Sequence, residues 1–334
     1  MPQTGTETKT ITLALQGGGA HGAFTWGVLD RLLEDERLVI EGISGTSAGA
    51  MNAAVFADGF EKNGAAGAKE ALERFWQAIS QHGSFSPYAL GPFSPLAMWF
   101  DWLTHTFSPY QFNPLDYNPL RDVIEKTIDF NCLRSCVSVK LYISATNVRT
   151  NRLRIFNSNE LSTDVLLASA CLPHMHQPVE VDGEYYWDGG FMGNPVLEPL
   201  IAQCVACDIV IVQINPTCRD EVPRTANEII NRVNEISFNS SLIREIRAIA
   251  GVMQLVESGT LEIKDPRYKC IYFHRIAAEE VMKGLGAQSK FDASWPFLTR
   301  LKELGRERAE RWLSENFDHI GKASTLDLKA WLSA

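Results

Sequence analysis

The stretch Thr10-Ile11-Thr12-Leu13-Ala14-Leu15-Gln16-Gly17-Gly18-Gly19-Ala20-His21-Gly22 decides the fold. An apolar, β-type run ends in three successive glycines. It passes directly into Phe24 to Leu33, where apolar residues recur at helical spacing. Strand, glycine turn and helix in this order open an α/β unit. Successive glycines leave main-chain N–H groups uncovered, and the positive end of the following helix dipole backs them. Such donors suit a phosphate or a developing oxyanion.

A second glycine turn, Gly45-Thr46-Ser47-Ala48-Gly49, follows the β-rich run at 38–43 and precedes the small-residue helix segment at 48–56. A serine with glycine two positions away on each side fits a tight strand-to-helix corner that pushes its hydroxyl outward. A third turn, Asp188-Gly189-Gly190, follows Tyr185-Tyr186-Trp187, a short strand that would deliver the Asp188 carboxylate at its end. Alone, Asp188-Gly189 reads as an ordinary turn. With the other two motifs, it reads as a base opposite Ser47. Strands expected at 10–15, 38–43, 139–147, 152–156, 184–187 and 208–214 alternate with helices. This pattern predicts an α/β three-layer sandwich around a central, mostly parallel sheet, with the site at strand C-terminal ends.

Gly17-x-Gly19-x-x-Gly22 also satisfies the dinucleotide fingerprint, with Glu41 about twenty residues on, so a Rossmann module is the rival reading. That fold has no use for a glycine-flanked serine turn directly after the acidic residue.

In these three motifs and their order the chain resembles the patatin-like phospholipase family, which carries a G-G-G-x-[R/K]-G loop, a G-x-S-x-G elbow and a distant D-G-[G/A] turn. The resemblance spans residues 10–215 and includes Ala168-Ser169-Ala170-Cys171-Leu172-Pro173. It implies a Ser-Asp dyad with Ser47 as nucleophile and Asp188 as general base. It further implies an oxyanion hole at Gly17, Gly18 and Gly19, with Gly22, Gly45, Gly49, Gly189 and Gly190 shaping the turns, and neither metal nor organic cofactor. One position departs: His21 stands where the family has arginine or lysine, and a histidine carries charge only in part near neutral pH. An aspartate near pKa ~3.9 is a weak base for a hydroxyl, so the dyad requires Asp188 to be buried. A histidine-based triad through His174 or His176 is the alternative.

With 45% hydrophobic residues the chain can fill a core, and its net charge of −9 disfavours nucleic acid as a partner. No apolar run reaches the ~20 residues of a membrane span, and no signal peptide is readable at the start. The expected location is cytoplasmic, with peripheral contact at a membrane surface. Seven scattered cysteines argue against a disulfide framework, and Cys204-x-x-Cys207 lacks a second ligand pair for metal.

The expected organisation is a disordered tail at 1–9, a catalytic core at 10–220 and a mainly helical extension at 221–334. Within the core, residues 83–118 form an aromatic and proline-rich insertion. There Trp99 and Trp102 lie on a short helix candidate at 96–103 that would cover an acyl pocket or touch lipid. The helical stretch at 225–258 is read as packed on the core, with a dimer face, which would make the chain a homo-oligomer, or the lining of a lipid channel as the alternatives. The function expected is a serine acyl hydrolase taking a lipid or acyl-ester substrate. An acyltransferase or thioesterase using the same acyl-serine, and a non-enzymatic anion-binding module, are the alternatives.

Overall fold

The computed structural model describes residues 8–83, 106–262 and 269–333. Trp99, Trp102 and the helix expected at 96–103 lie outside the described residues, as do positions 1–7 of the expected tail.

Eight strands form one sheet: β1 (Lys9–Leu15), β2 (Leu38–Gly45), β3 (Lys140–Asn147), β4 (Arg152–Asn157), β5 (Val179–Val181), β6 (Glu184–Asp188), β7 (Asp208–Gln213) and β8 (Tyr272–Ala277). Their order is β5-β6-β3-β2-β1-β7-β8, with β4 paired to β3 off this path. The β3-β2-β1-β7-β8 run is parallel, while β4 and β6 join β3 antiparallel and β5 joins β6 antiparallel.

Side-chain alternation shows why the sheet is covered on both faces. In β1, Ile11, Leu13 and Leu15 enter one core cluster and Ala14 enters the other. In β7, Val210 and Val212 face the first cluster and Ile209 and Ile211 the second. The first face is filled from α1 (Gly22–Leu32), α2 (Ala48–Gly83), α3 (Pro119–Thr127), α4 (Thr163–Ser169) and α6 (Trp295–Asn316). The second is covered by α5 (Ala226–Glu257), through Leu242 and Ile246. This is a mixed α/β fold with a central, mostly parallel sheet between helical layers.

Helix α2 begins with the small-residue segment at 48–56 and runs on to Gly83, with a kink where Asn63 and Gly64 leave helical geometry. Strand β2 runs on to Gly45, so the elbow begins at the last residue of the strand. Helix α5 buries Phe238, Leu242 and Ile246 in its middle, while Ile229, Val233 and Ile236 nearer its start are exposed. Among the described residues no helix is long and apolar enough to cross a membrane.

Two features of this topology position the site. The chain leaves β1 toward β2 on one side, and β7 returns on the other, so a crevice opens at the C-terminal ends of β1 and β7. The glycine loop enters that crevice. Strand β8 then pairs with β7 and covers what would otherwise be an open edge. The sheet therefore includes a strand from beyond residue 220. Glu41, the acidic residue of the dinucleotide reading, lies mid-strand, and its carboxylate accepts hydrogen bonds from the Val205 and Ala206 amides just before β7. It is engaged at the opposite end of the strands from the glycine loop, which removes the ribose contact that reading requires.

Candidate active site

Ser47 holds φ 54°, the left-handed region that a residue with a Cβ adopts only at a cost of order 1–3 kcal/mol. Three contacts hold it there. Its amide donates to Ser169 Oγ at 2.9 Å, its carbonyl accepts from Met51 in the first turn of α2, and the Thr46 hydroxyl beneath it bonds Ser144 Oγ (2.6 Å) and the Gly193 carbonyl (2.7 Å). The flanking glycines fit this corner for steric reasons: a Cβ at Gly45 would meet the backbone of Gly49 at 2.6 Å, and one at Gly49 would strike the carbonyl of Leu15. Gly22 meets Ala48 in the same way where α1 crosses α2.

Asp188 ends β6 and is fully buried. Its amide donates to the Cys171 carbonyl and its own carbonyl accepts from Thr146 Oγ1, both at 2.8 Å. Carboxylate Oδ1 accepts from the Gly190 amide at 2.7 Å, while Oδ2 has no formed hydrogen bond among the described residues. The Ser47 hydroxyl lies close enough to this carboxylate to pull its pKa down. Burial dominates and pushes the Asp188 carboxyl up to about 7, against the opposing pull of Gly190, Ser47 and Lys290. Gly189 lies against the Ser144 backbone with no room for a side chain.

The glycine loop is trussed from three directions. Gly17 donates its amide to Asn194 Oδ1 (2.6 Å) and its carbonyl accepts from Asn215 Nδ2 (2.7 Å). Gln16 Oε1 accepts from the amides of Ile214 (3.0 Å) and Asn215 (2.9 Å). Gly19 has φ 60° and lies against the Lys290 carbonyl, so both backbone angle and space demand glycine. The three glycines expected to act alike therefore differ. The Gly17 amide is committed to Asn194, because the loop needs that bond to turn out of β1. The Gly18 and Gly19 amides have no acceptor among the described residues, and both glycines line the cavity that holds Ser47.

That cavity encloses about 310 Å³, in the range of small-ligand pockets. Gly18, Gly19, Ser47, Asp188 and Lys290 meet in its wall, and Met51, Phe75, Trp76, Ile79, Leu120 and Phe238 supply most of its apolar surface. Among the described residues no histidine lines it, His174 and His176 included. Burial pushes the His176 ring below its ordinary pKa. His21 is buried under the loop with Nε2 at 2.7 Å from Ser289 Oγ, and burial, with Lys290 and Arg219 nearby, takes its pKa down to about 3. It is neutral across physiological pH and supplies no cation.

Several of these residues escaped the sequence reading. Asn194 and Asn215 each precede a proline just past a glycine turn or a strand, a pattern that marks a turn and could have flagged both. Ser169 lies in the segment 168–173 that the resemblance included, though no role was assigned to it; Lys290 carries no local signal, and only the tertiary structure brings it to the loop.

The patatin-like phospholipase family matches residues 13–201 of this chain. The match covers more than half of the sequence, and the chain belongs to this family, one of lipid acyl hydrolases. The uncharacterized protein R571 of Acanthamoeba polyphaga mimivirus is 28% identical over 195 residues, which cover 57% of this chain and 61% of that protein. The chain thus matches about three fifths of that relative's length. The crystal structure of VipD from Legionella pneumophila aligns with 92% of this chain and 67% of its own, at 16% identity and a TM-score of 0.43.

Proposed function

We propose that this chain is a serine lipid acyl hydrolase of phospholipase A or esterase type, working through Ser47 and Asp188. What supports the reading above all is that a strained, outward-facing serine and a buried carboxylate with a free oxygen line one largely apolar cavity. Ser47 Oγ attacks the ester carbonyl carbon and passes its proton to Asp188 Oδ2. The negative charge forming on the carbonyl oxygen is received by the Gly18 and Gly19 amides, each such donor being worth on the order of 10²–10³ in rate. The N-terminus of α2 reinforces them with its dipole.

Collapse breaks the bond to the alcohol, which departs with the proton held by Asp188. Water then attacks acyl-Ser47 and gives a proton to Asp188. The C–Oγ bond breaks, Ser47 recovers that proton and the fatty acid leaves. The apolar wall from Met51 to Leu120 would carry the acyl chain. With Asp188 near 7, the ionised base and the activity rise together through neutral pH.

The test offers phospholipid vesicles in one reaction and an acyl thioester with an alcohol acceptor in another. Free fatty acid from the vesicles with wild type, and none with Ser47→Ala, is the expected result. Transfer product exceeding free acid would make the chain an acyltransferase. No Ser47-dependent product from either would end the enzymatic reading.

A further inference from the structure

Lys290 lies in a short 3-10 segment, Ala287–Phe291, that docks onto the glycine loop from the far end of the chain. Three contacts seat it: Ser289 Oγ on His21 Nε2, the Lys290 carbonyl against Gly19, and Lys290 Nζ donating to Asn215 Oδ1 at 2.9 Å. The same Asn215 holds the Gly17 carbonyl, so the lysine is tied to the loop through one side chain. The ammonium has three donors and one acceptor here, and among the described residues no carboxylate lies within 4.0 Å of it. Part of the side chain opens on the cavity, but the ammonium is deep enough that burial is the main influence on it and lowers its pKa.

Desolvating an ammonium without an ion pair is costly. Glu235 on α5 is near but already committed, bound by Arg219 at 2.5 Å and Arg232 at 3.1 Å. His21 beneath the loop is neutral. Among the described residues Glu235, Arg219 and Asp188 are the charged groups that act on the ammonium, Glu235 the most strongly; Asp188 shares the cavity wall with Lys290, and its other neighbours are the Ser47 hydroxyl, the Gly190 amide and the Cys171 thiol.

We propose that Lys290 is the fixed cation of this active site, a positioning residue whose ammonium favours negative charge on Asp188 and on the oxyanion formed at Gly18 and Gly19. It rests on the Ser47–Asp188 reading above. Burial drives Asp188 toward the protonated form, which cannot accept the serine proton, and Lys290 pulls in the other direction. The loop brings no charge of its own, so the charge arrives from the C-terminal region.

The experiment follows the rate at which a fluorophosphonate labels Ser47 across about pH 5 to 9. It compares wild type with Lys290→Arg, Lys290→Gln and Lys290→Met. Wild type should show an acid limb near 7, and Lys290→Arg should keep it there. Lys290→Gln retains a donor for Asn215 but removes the charge. Its limb should move upward by about one pH unit, giving ~tenfold slower labelling on the acid side, with Lys290→Met alike. A merely structural lysine would slow labelling at every pH and leave the limb in place, and that result overturns the proposal. Should Lys290→Met fail to fold in a thermal melt, the Arg and Gln pair still decides. Absence of Ser47 labelling in wild type would instead bring down the hydrolase reading and this proposal with it. Labelling with an unmoved limb removes Lys290 alone.

Discussion

Two buried aspartates sit at opposite ends of one sheet and are treated in opposite ways. Asp208 opens β7; its Oδ1 accepts from His274 Nε2 at 2.9 Å and from the Gly321 amide at 2.8 Å, and Thr325 Oγ1 holds the other ring nitrogen of His274 at 2.9 Å. Asp188 closes β6 with one oxygen held by Gly190 and the other unpartnered. A buried polar group without a partner costs roughly 1–3 kcal/mol; Asp208 Oδ1 takes two donors, whereas Asp188 Oδ2 is buried without one among the described residues. The first carboxylate ties strands β7 and β8 to the turn at Gly321, and in the proposed mechanism the second receives the serine proton.

Substituting each aspartate by asparagine sharpens the contrast. Asp188→Asn should lower ester hydrolysis by on the order of 10³–10⁴-fold, since an amide cannot take the serine proton. Asp208→Asn should leave kcat/KM within a few-fold of wild type in the same assay. Comparable losses in both would erase the distinction between the two ends.

Next in size is the loop. Gly19→Ala forces a Cβ into the left-handed region and against the Lys290 carbonyl, and should cost about 10² in kcat by displacing the Gly18 and Gly19 amides. Gly183 has φ 80° and nothing near its Cβ position, so Gly183→Ala should strain the backbone comparably and spare the rate. Equal loss of kcat in both would show that strain, not loop geometry, governs the effect.

Stability should separate the aspartates in the reverse sense. The folded Asp188 carboxyl, at about 7, lies above its unfolded value of 3.8. Its contribution is therefore fully present below about pH 4 and is lost as pH rises through 7. Asp188→Asn should then match wild type near pH 4 and exceed it by roughly 1–4 kcal/mol at pH 8 in denaturant melts. Glu245, also pushed up to about 7 by burial, acts in the same direction. His21 acts oppositely: depressed to about 3 from 6.5, it contributes stability above pH 6.5 that is lost as pH falls toward 3. Asp208→Asn should be less stable than wild type by about 1–3 kcal/mol, because His274 and Gly321 lose a charged acceptor.

The same division explains what was readable from the chain. The loop, the elbow and the Asp-Gly turn are local backbone demands, and glycine is the residue that meets them, so Gly19, Ser47 and Asp188 could be picked out without a structure. Strands β1 to β4, β6 and β7 and the small-residue start of α2 were legible for the same reason, their periodicity being local; the three-residue β5 was not. Lys290 was invisible, because a lysine between Ser289 and Phe291 has no pattern until β8 and its following turn carry it back to the loop. The inequality of the glycines was also hidden: nothing in Gly17-Gly18-Gly19 tells that Asn194, nearly two hundred positions away, takes the first amide. The extension after residue 220 was expected to pack on the core; in the fold it adds β8 to the sheet and lines the cavity with Phe238 and Lys290.

The central claim is that Ser47 is a nucleophile made reactive by Asp188. Mass spectrometry of the intact protein and its peptides after fluorophosphonate treatment tests it most directly, with Ser47→Ala and Asp188→Asn in parallel. The account predicts one adduct on the Ser47 peptide, no adduct in Ser47→Ala and a sharply slower one in Asp188→Asn. An adduct on another residue, or labelling of Asp188→Asn at the wild-type rate, would contradict it.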